Sequence, residues 1–133
     1  METLKYKLDI EDTGESFIFK KRCEYGECKI IVTNNNVWTI SSWQILDKYQ
    51  HKGIGKNLLC SLVEEILFLC HEPSLIQYIW NGQNDYVLNW LKRFDAKCLT
   101  EENVLKNNAD DDWDSHIYVL NKEKFLNYCT GKE

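Results

Sequence analysis

The sequence is most informative at Gln50-His51-Lys52-Gly53-Ile54-Gly55. This segment lies between a strand-like run, 37–46, and an amphipathic helix pattern, 56–70. Backbone N–H groups converge where a glycine-containing loop leads from a strand into a helix, and the helix dipole adds partial positive charge. The two glycines let the main chain approach an anion closely. The segment therefore predicts a site for a phosphate-bearing ligand that is held mostly by backbone.

The spacing of the glycines excludes the two commonest phosphate-binding motifs. A dinucleotide-binding fingerprint needs a third glycine three residues after the second, where this chain has Leu58. A P-loop needs a Lys-Ser or Lys-Thr pair at its own spacing, and none follows here. What remains is either another kind of anion site or a glycine-rich turn before an ordinary core helix.

The composition fits a single domain covering residues 1–133. Of these residues, 44% are hydrophobic and 13% aromatic, which is ample for one core. No run of about 18 apolar residues is present, so no membrane span is expected, and no signal peptide is visible. The six cysteines are scattered without a C-x-x-C pair, which is typical of reduced thiols in the cytoplasm. Cys23 and Cys28 flank a predicted hairpin turn and could face each other.

The charge distribution argues against nucleic-acid binding and against a metal site. Net charge is −5, and the longest basic cluster is Lys20-Lys21-Arg22. The acidic segment 110–114, with His116 nearby, suggests a metal at first sight. An EF-hand loop that begins at Asp110 would need glycine at its sixth position and glutamate at its twelfth, where this chain has Ser115 and Asn121. We therefore expect a solvated acidic loop and no metal.

The pattern of apolar residues predicts an antiparallel meander followed by a crossover. Turn-like segments at 11–14, 25–27 and 34–36 separate the first strands. Apolar residues recur at helical spacing over 54–70, and Pro73 ends that helix. The apolar run 75–80 should then lie parallel to 37–46 through a right-handed crossover. The expected strands are 5–10, 16–24, 28–33, 37–46, 75–80, 96–99 and 116–121, and the expected helices are 54–70, 86–94 and 122–129.

The segment 50–55 resembles motif A of the GNAT superfamily of acyl-CoA N-acyltransferases, Arg/Gln-x-x-Gly-x-Gly/Ala. The match extends to Trp43-Gln44-Ile45 at the preceding strand end and to Leu58-Leu59 in the helix. The order of predicted elements is also that of the family, except that the family has two helices between its first two strands. The resemblance implies an α+β fold with a mixed, mostly antiparallel twisted sheet. It also implies a parallel strand pair at the cofactor cleft and helices on both faces.

The resemblance further implies acetyl-CoA as acyl donor and the residues that hold it. In the family, the pantetheine arm lies between strands four and five, and the pyrophosphate rests on the motif A loop. Trp43 and Ile45 match the positions whose backbone pairs with pantetheine, and the Ile45 N–H would stabilise the oxyanion of the tetrahedral intermediate. Asn84 matches an asparagine that holds the pantetheine arm. The predicted cofactor-binding residues are Trp43, Ile45, Gln50, His51, Lys52, Gly53, Ile54, Gly55, Lys56 and Asn84.

The usual acid and base of the family are not matched. Leu91 stands where many members have a tyrosine that protonates the leaving thiolate, and Ser41 and Ser42 stand where some place a carboxylate. Tyr86 and Tyr78 are the remaining candidate catalytic residues, and the alternative for each is an ordinary packed tyrosine. Solvent can serve for both proton transfers.

Two hypotheses follow. The leading one is an N-acetyltransferase that moves an acetyl group from acetyl-CoA to an amine of a small molecule, peptide or protein. The amine attacks directly in a ternary complex. The alternative is a catalytically weak CoA-binding or protein-interaction module with a GNAT-like fold. The identity of the amine is left open.

Overall fold

The computed structural model describes residues 6–46, 48, 53–80, 85–98 and 116–131. The strands in these ranges are β1 (Lys7–Asp12), β2 (Ser16–Cys23), β3 (Gly26–Thr33), β4 (Val37–Ile45), β5 (Leu75–Trp80), β6 (Lys97–Cys98) and β7 (His116–Leu120), and the helices are α1 (Ile54–Leu69), α2 (Asp85–Lys92) and α3 (Lys122–Thr130). Together the strands form one sheet in the order β1-β2-β3-β4-β5-β7-β6. Within it β4 and β5 are parallel, and every other neighbouring pair is antiparallel.

The predicted mixed, mostly antiparallel sheet is therefore confirmed. Four strands form the expected meander, and α1 then crosses over to the parallel strand β5. The last two strands pair with each other as expected, and β7 takes the inner place beside β5. In the described chain, every helix is too short or too polar to cross a lipid bilayer.

The hairpin between β2 and β3 is tighter than the sequence suggested. Its loop has two residues, because Cys23 lies opposite Gly26. Gly26 is therefore a strand residue, and a Cβ atom on it would lie 2.3 Å from the main-chain oxygen of Gln44. Cys28 lies opposite Lys21, so Cys23 and Cys28 do not lie directly opposite each other across the hairpin. The six cysteines are all free thiols.

The linker between β1 and β2 is too short for the two helices that the family has between its first two strands. β1 begins two residues later than predicted and ends at Asp12, and β2 begins at Ser16. Gly14 makes the turn with a φ of +90°, and its N–H donates to the Asp12 carboxylate at 2.8 Å. Thr13 closes the turn through an N–H that donates to the Ser16 carbonyl at 2.9 Å. The edge strand β1 and its neighbour β2 are thus joined directly by this turn.

The described helices share one core with one face of the sheet. Alternate side chains of the meander, such as Phe19, Ile30 and Trp38, are almost fully buried. Their neighbours on the other face, such as Lys29 and Ile31, are only half-buried. The core cluster also contains Leu58, Leu59, Leu62, Val63, Ile66, Val87, Trp90, Leu91, Phe94, Phe125, Tyr128 and Cys129 from the helices. Among the described residues the helices pack on this face, and the short linker between β1 and β2 contributes none.

Candidate cofactor cleft

A gap opens between β4 and β5 in the second half of β4. The two strands pair only from Val37 opposite Leu75 to Ile40 opposite Tyr78. Beyond that point β4 continues to Ile45 without a partner in β5. The end of β5 stays paired with β7 on its other side. The ladder of the parallel pair therefore ends at Ile40 and Tyr78, and the gap lies beyond these residues.

A β-bulge in β4 lies where the gap begins. The register between β3 and β4 pairs Lys29 with Ser42 but Ile30 with Ile40, which leaves Ser41 without an opposite residue. The Ser41 hydroxyl lies 3.5 Å from the carbonyl oxygen of Lys29. A bulge bends its strand and increases the local twist. Ser41 thus marks the point at which β4 turns away from β5.

The register also fixes the direction of the backbone groups beyond the bulge. The Leu46 N–H donates to the carbonyl of Tyr25 at 2.8 Å. In an antiparallel pair, residues that bond the partner strand alternate with residues that face away from it. Gln44 and Ser42 therefore bond to β3, and the N–H and C=O groups of Trp43 and Ile45 point away from β3. These two residues thus direct their backbone groups into the gap, as their predicted contacts with pantetheine require.

The start of α1 is packed onto the end of β4. The Trp43 indole N–H donates to the carbonyl oxygen of Gly55 at 3.0 Å. A Cβ atom on Gly55 would lie 3.3 Å from Cγ1 of Ile45 and 3.5 Å from Cζ2 of Trp43. A side chain at this position would crowd Ile45, so the second glycine of the motif favours close packing between helix and strand. Its carbonyl fixes the helix start next to the gap.

Gly53, the first glycine of the motif, has a left-handed backbone, which a glycine adopts without steric cost. It is the N-cap of α1 with a φ of 80°, and it provides no side-chain cap. The first turn of α1 contains no acidic residue. Since a helix start carries partial positive charge and unbonded N–H groups, this end suits an anion. The ammonium group of Lys56 lies 4.5 Å from the ring centre of Tyr128, a cation–π contact that would compete with its predicted contact with phosphate.

Several predicted site residues lie outside the described part of the chain. They are Gln50, His51, Lys52 and Asn84, together with the acidic segment 110–114. The backbone of Tyr86 lies in the first turn of α2, and its side chain is not described. Among the described residues, no group of three or more His, Cys, Asp or Glu side chains is arranged to hold a metal.

An aromatic cluster centred on Trp90 lies beside the gap. The Trp90 ring centre is 4.7 Å from that of Trp43 and 5.9 Å from that of Tyr78. It also lies 4.8 Å from Phe94, and its indole nitrogen is 3.4 Å from the Tyr128 hydroxyl. The cluster connects both strands of the gap to α2 and α3. The sequence analysis missed Trp90, although its spacing to Val87, Leu91 and Phe94 marks the buried side of a helix.

The protonation of Tyr78 follows from its burial. The side chain is 5% exposed. Removal from water raises the pKa of Tyr78 well above its ordinary value, and the neighbouring Cys28 thiol adds to the effect. Tyr78 therefore stays protonated at neutral pH and can donate a hydrogen bond. It cannot act as a general base.

An open cavity of about 460 Å³ lies beyond the end of β4. Glu24, Glu27 and Gln44 contribute polar groups to its lining, together with Arg22 and the apolar side chain of Leu46. Glu27 is already paired with Lys20 at 3.2 Å. The cavity is next to Ile45 and so lies close to the end of the gap.

Known acetyltransferases have a similar fold. The structure is similar to that of a Bacillus subtilis acetyltransferase in complex with CoA, with a TM-score of 0.57. The sequences are 12% identical, and the match covers 88% of this chain and 97% of the other. The chain has the GNAT fold. This result confirms the family resemblance at the level of the fold.

Two further acetyltransferases show the same similarity to this GNAT fold. A nourseothricin acetyltransferase matches with a TM-score of 0.51 and 12% identity, covering 86% of this chain and 82% of the other. A putative streptothricin acetyltransferase from Bacillus anthracis, in complex with acetyl coenzyme A, matches with a TM-score of 0.50 and 11% identity, covering 86% and 80%. No protein-family model matches the sequence, and a comparison with curated proteins finds no match.

Proposed function

We propose that this protein is an N-acetyltransferase that uses acetyl-CoA as its acyl donor. The observation that carries the proposal is the gap between β4 and β5, into which Trp43 and Ile45 direct their backbone groups. The uncapped start of α1 lies at its edge. The similar acetyltransferases from Bacillus subtilis and Bacillus anthracis are complexes with CoA and with acetyl coenzyme A, which supports the choice of donor.

The pantetheine arm would fit the gap as an added strand. It is an extended chain with two amide groups, and such a chain binds an exposed strand edge through main-chain hydrogen bonds. Trp43 and Ile45 would supply those bonds from β4. Gly53, Ile54 and Gly55 would offer backbone N–H groups to the pyrophosphate at the start of α1. The predicted contributions of Gln50, His51, Lys52 and Asn84 complete this arrangement.

The reaction would be a direct transfer. A neutral amine nitrogen attacks the thioester carbonyl carbon, so that a C–N bond forms and the carbonyl oxygen becomes an oxyanion. The N–H of Ile45 would donate to that oxygen. The C–S bond then breaks, and CoA leaves as a thiolate that takes up one proton. The nitrogen, which became positively charged when the C–N bond formed, loses one proton.

The proton transfers are proposed to run through solvent or through Tyr86. Tyr78 is the weaker of the two candidate tyrosines, because its raised pKa makes it a poor proton donor to a thiolate. It would act as a hydrogen-bond donor only. Tyr86 lies in the first turn of α2, which follows the strand that forms one side of the gap.

The second candidate function is a CoA-binding or interaction module with little activity. Leu91 favours it, because this residue replaces the tyrosine of many family members and is 1% exposed in the core. An apolar leucine at this position cannot transfer a proton to the leaving thiolate. The sequence of β4, VWTISSWQI, also contains no carboxylate.

The proposal is tested by binding first and turnover second. Calorimetric titration with acetyl-CoA and with CoA should give saturable binding and an increase in melting temperature. Release of free thiol is then measured with a panel of small amines, peptides with free N-termini and lysine-containing peptides. Binding with turnover supports the acetyltransferase. Binding without turnover on any acceptor supports the second function, and a folded protein that binds neither cofactor refutes both uses of the gap.

A further inference from the structure

The outer edge of β1 is available for pairing with another strand. Among the described strands, β1 is the first of the sheet and pairs only with β2. Nothing else in residues 6–46, 53–80, 85–98 and 116–131 forms a ladder with it. An unpaired strand edge presents a row of N–H and C=O groups that can bind a further strand.

The register of the first hairpin shows which groups face outward. Thr13 lies opposite Ser16 and donates its N–H to the Ser16 carbonyl. Alternation along an antiparallel pair then directs the backbone groups of residues 7, 9 and 11 toward β2. The backbone groups of Tyr6, Leu8 and Ile10 point outward. Any added strand must therefore bond to these three residues.

The side chains of β1 divide cleanly between the two faces of the sheet. Lys7, Asp9 and Glu11 lie exposed on one face. Leu8 and Ile10 lie on the face that carries the core, opposite Lys21 and Phe19 of β2. Ile10 is 49% exposed, so apolar surface is left open at this edge. A partner strand would need apolar residues on one face and complementary charges on the other.

A second copy of β1 meets both requirements in one register. When two such strands run antiparallel with Leu8 opposite Leu8, Lys7 of each copy lies opposite Asp9 of the other. A shift of two residues in one direction places Asp9 opposite Asp9, and in the other direction it places Lys7 opposite Lys7. Like charges directly opposite are destabilising. The shift that opposes the two Asp9 residues also places Lys7 opposite Glu11. The register with Leu8 opposite Leu8 is the one of these three without an opposed like-charge pair, so the charges favour it.

We propose that two copies of this chain form a dimer through β1 in this register. About six backbone hydrogen bonds would join Tyr6, Leu8 and Ile10 to Ile10, Leu8 and Tyr6 of the second copy. Lys7 and Asp9 fall at the non-hydrogen-bonded positions, where opposite side chains are closest. Ile10 packs against Tyr6 of the second copy on the apolar face. The interface is isologous, so the two-fold axis passes between the two Leu8 residues and the assembly closes as a dimer.

The dimer leaves the gap between β4 and β5 open. Two strands, β2 and β3, separate β1 from β4 in the sheet. Dimer formation and cofactor binding therefore use different edges of the sheet. The proposal stands or falls independently of the proposed function.

The test uses charge reversal at the two positions. In Lys7→Asp homodimers, the introduced aspartate would face Asp9 of the other copy, and in Asp9→Lys homodimers, the introduced lysine would face Lys7. Each variant should weaken the dimer by at least about tenfold. An equimolar mixture of the two variants restores both opposite-charge pairs and should form a heterodimer. Lys97→Asp makes the same charge change on β6, at the other edge of the sheet, and should dimerise like the wild type.

Sedimentation equilibrium measures the outcome. An interface made by one pair of short strands buries little surface and is therefore weak, so the protein concentration must reach about 0.5 mM. A dimeric wild type, two monomeric single variants and a dimeric mixture support the proposal. Restoration in the mixture also shows that both variants are folded. The proposal is overturned by a wild type that stays monomeric, by single variants that dimerise like the wild type, or by a monomeric mixture of variants with unchanged melting curves.

Discussion

Substitution of Gly53 separates the anion site from the turn that forms it. Gly53 and Gly14 both have left-handed backbones, with φ values of +80° and +90°. At either position, a Cβ atom would have no heavy atom of the described chain within 4 Å. Gly14 lies in the turn between β1 and β2, well removed in the sheet from the gap. Gly53→Glu and Gly14→Glu are therefore a matched pair with the same strain at different places.

The shared cost of the two substitutions is conformational. A left-handed backbone costs a residue with a Cβ atom roughly 1–2 kcal/mol. For a chain of this length, each kcal/mol lowers the melting temperature by about 3–5 °C. Both variants should therefore melt lower than the wild type by similar amounts, which scanning calorimetry or circular dichroism measures.

The cost specific to Gly53→Glu is electrostatic and steric. A carboxylate about 5 Å from a phosphate charge is repelled by roughly 1–3 kcal/mol at the effective dielectric of a protein surface. The side chain also takes the space in front of the start of α1. We expect the affinity for acetyl-CoA to fall at least about thirtyfold in Gly53→Glu, whereas Gly14→Glu binds like the wild type.

Calorimetric titration with acetyl-CoA measures the affinities of Gly53→Glu and Gly14→Glu. The electrostatic part of the loss should shrink at high salt, because exposed charges are screened. Gly53→Ala carries the strain without the carboxylate, so it should lose less affinity than Gly53→Glu. Equal affinities in the two glutamate variants would refute the placement of the pyrophosphate at the start of α1.

Three further outcomes are expected. Ile45→Pro removes an N–H that the alternation along β4 directs into the gap, so turnover should fall about 100- to 1,000-fold while calorimetric affinity for CoA changes much less. Unchanged turnover would exclude this donor. Glu65→Gln leaves the Lys21 side chain, which is 7% exposed, without its carboxylate partner. It should lower the free energy of unfolding, measured by urea titration, by about 2 kcal/mol. The control Asp95→Asn breaks an exposed ion pair and should lower that free energy by about 0–1 kcal/mol. Burial raises the pKa of the Cys28 thiol, so the unfolded state loses this proton at lower pH than the folded state does. The free energy of unfolding should therefore decrease with rising pH above about 9. In Cys28→Ala, this decrease should be smaller.

The segment from β4 to β5 could be predicted closely because each signal there is local. The helix pattern, Pro73 and the apolar run 75–80 fix the order of the elements, and β5 has the predicted bounds. The right-handed crossover rule then makes β5 parallel to β4. Helix α1 ends one residue before the predicted position.

The sequence-based predictions are wrong or incomplete where the role of a residue depends on a contact with a residue distant in the sequence. Gly26 was interpreted as a turn residue, but the main chain of Gln44 requires a glycine within β3. The bulge at Ser41 leaves no mark in the composition of β4, because a change in register depends on the partner strand. Trp90 was missed because its role depends on Trp43 and Tyr78, which belong to two other elements.

The low sequence identity to the similar acetyltransferases follows from what the site is made of. Identities of 11–12% accompany coverage of 86% or more of this chain. The contacts proposed for the cofactor are N–H and C=O groups of Trp43, Ile45 and the start of α1, and most side chains can present those groups equally well. Only Gly53 and Gly55 are restricted, by the left-handed φ and by the close approach of β4. Binding can therefore persist while side chains that transfer protons are lost, as at Leu91, so turnover must be measured separately from affinity.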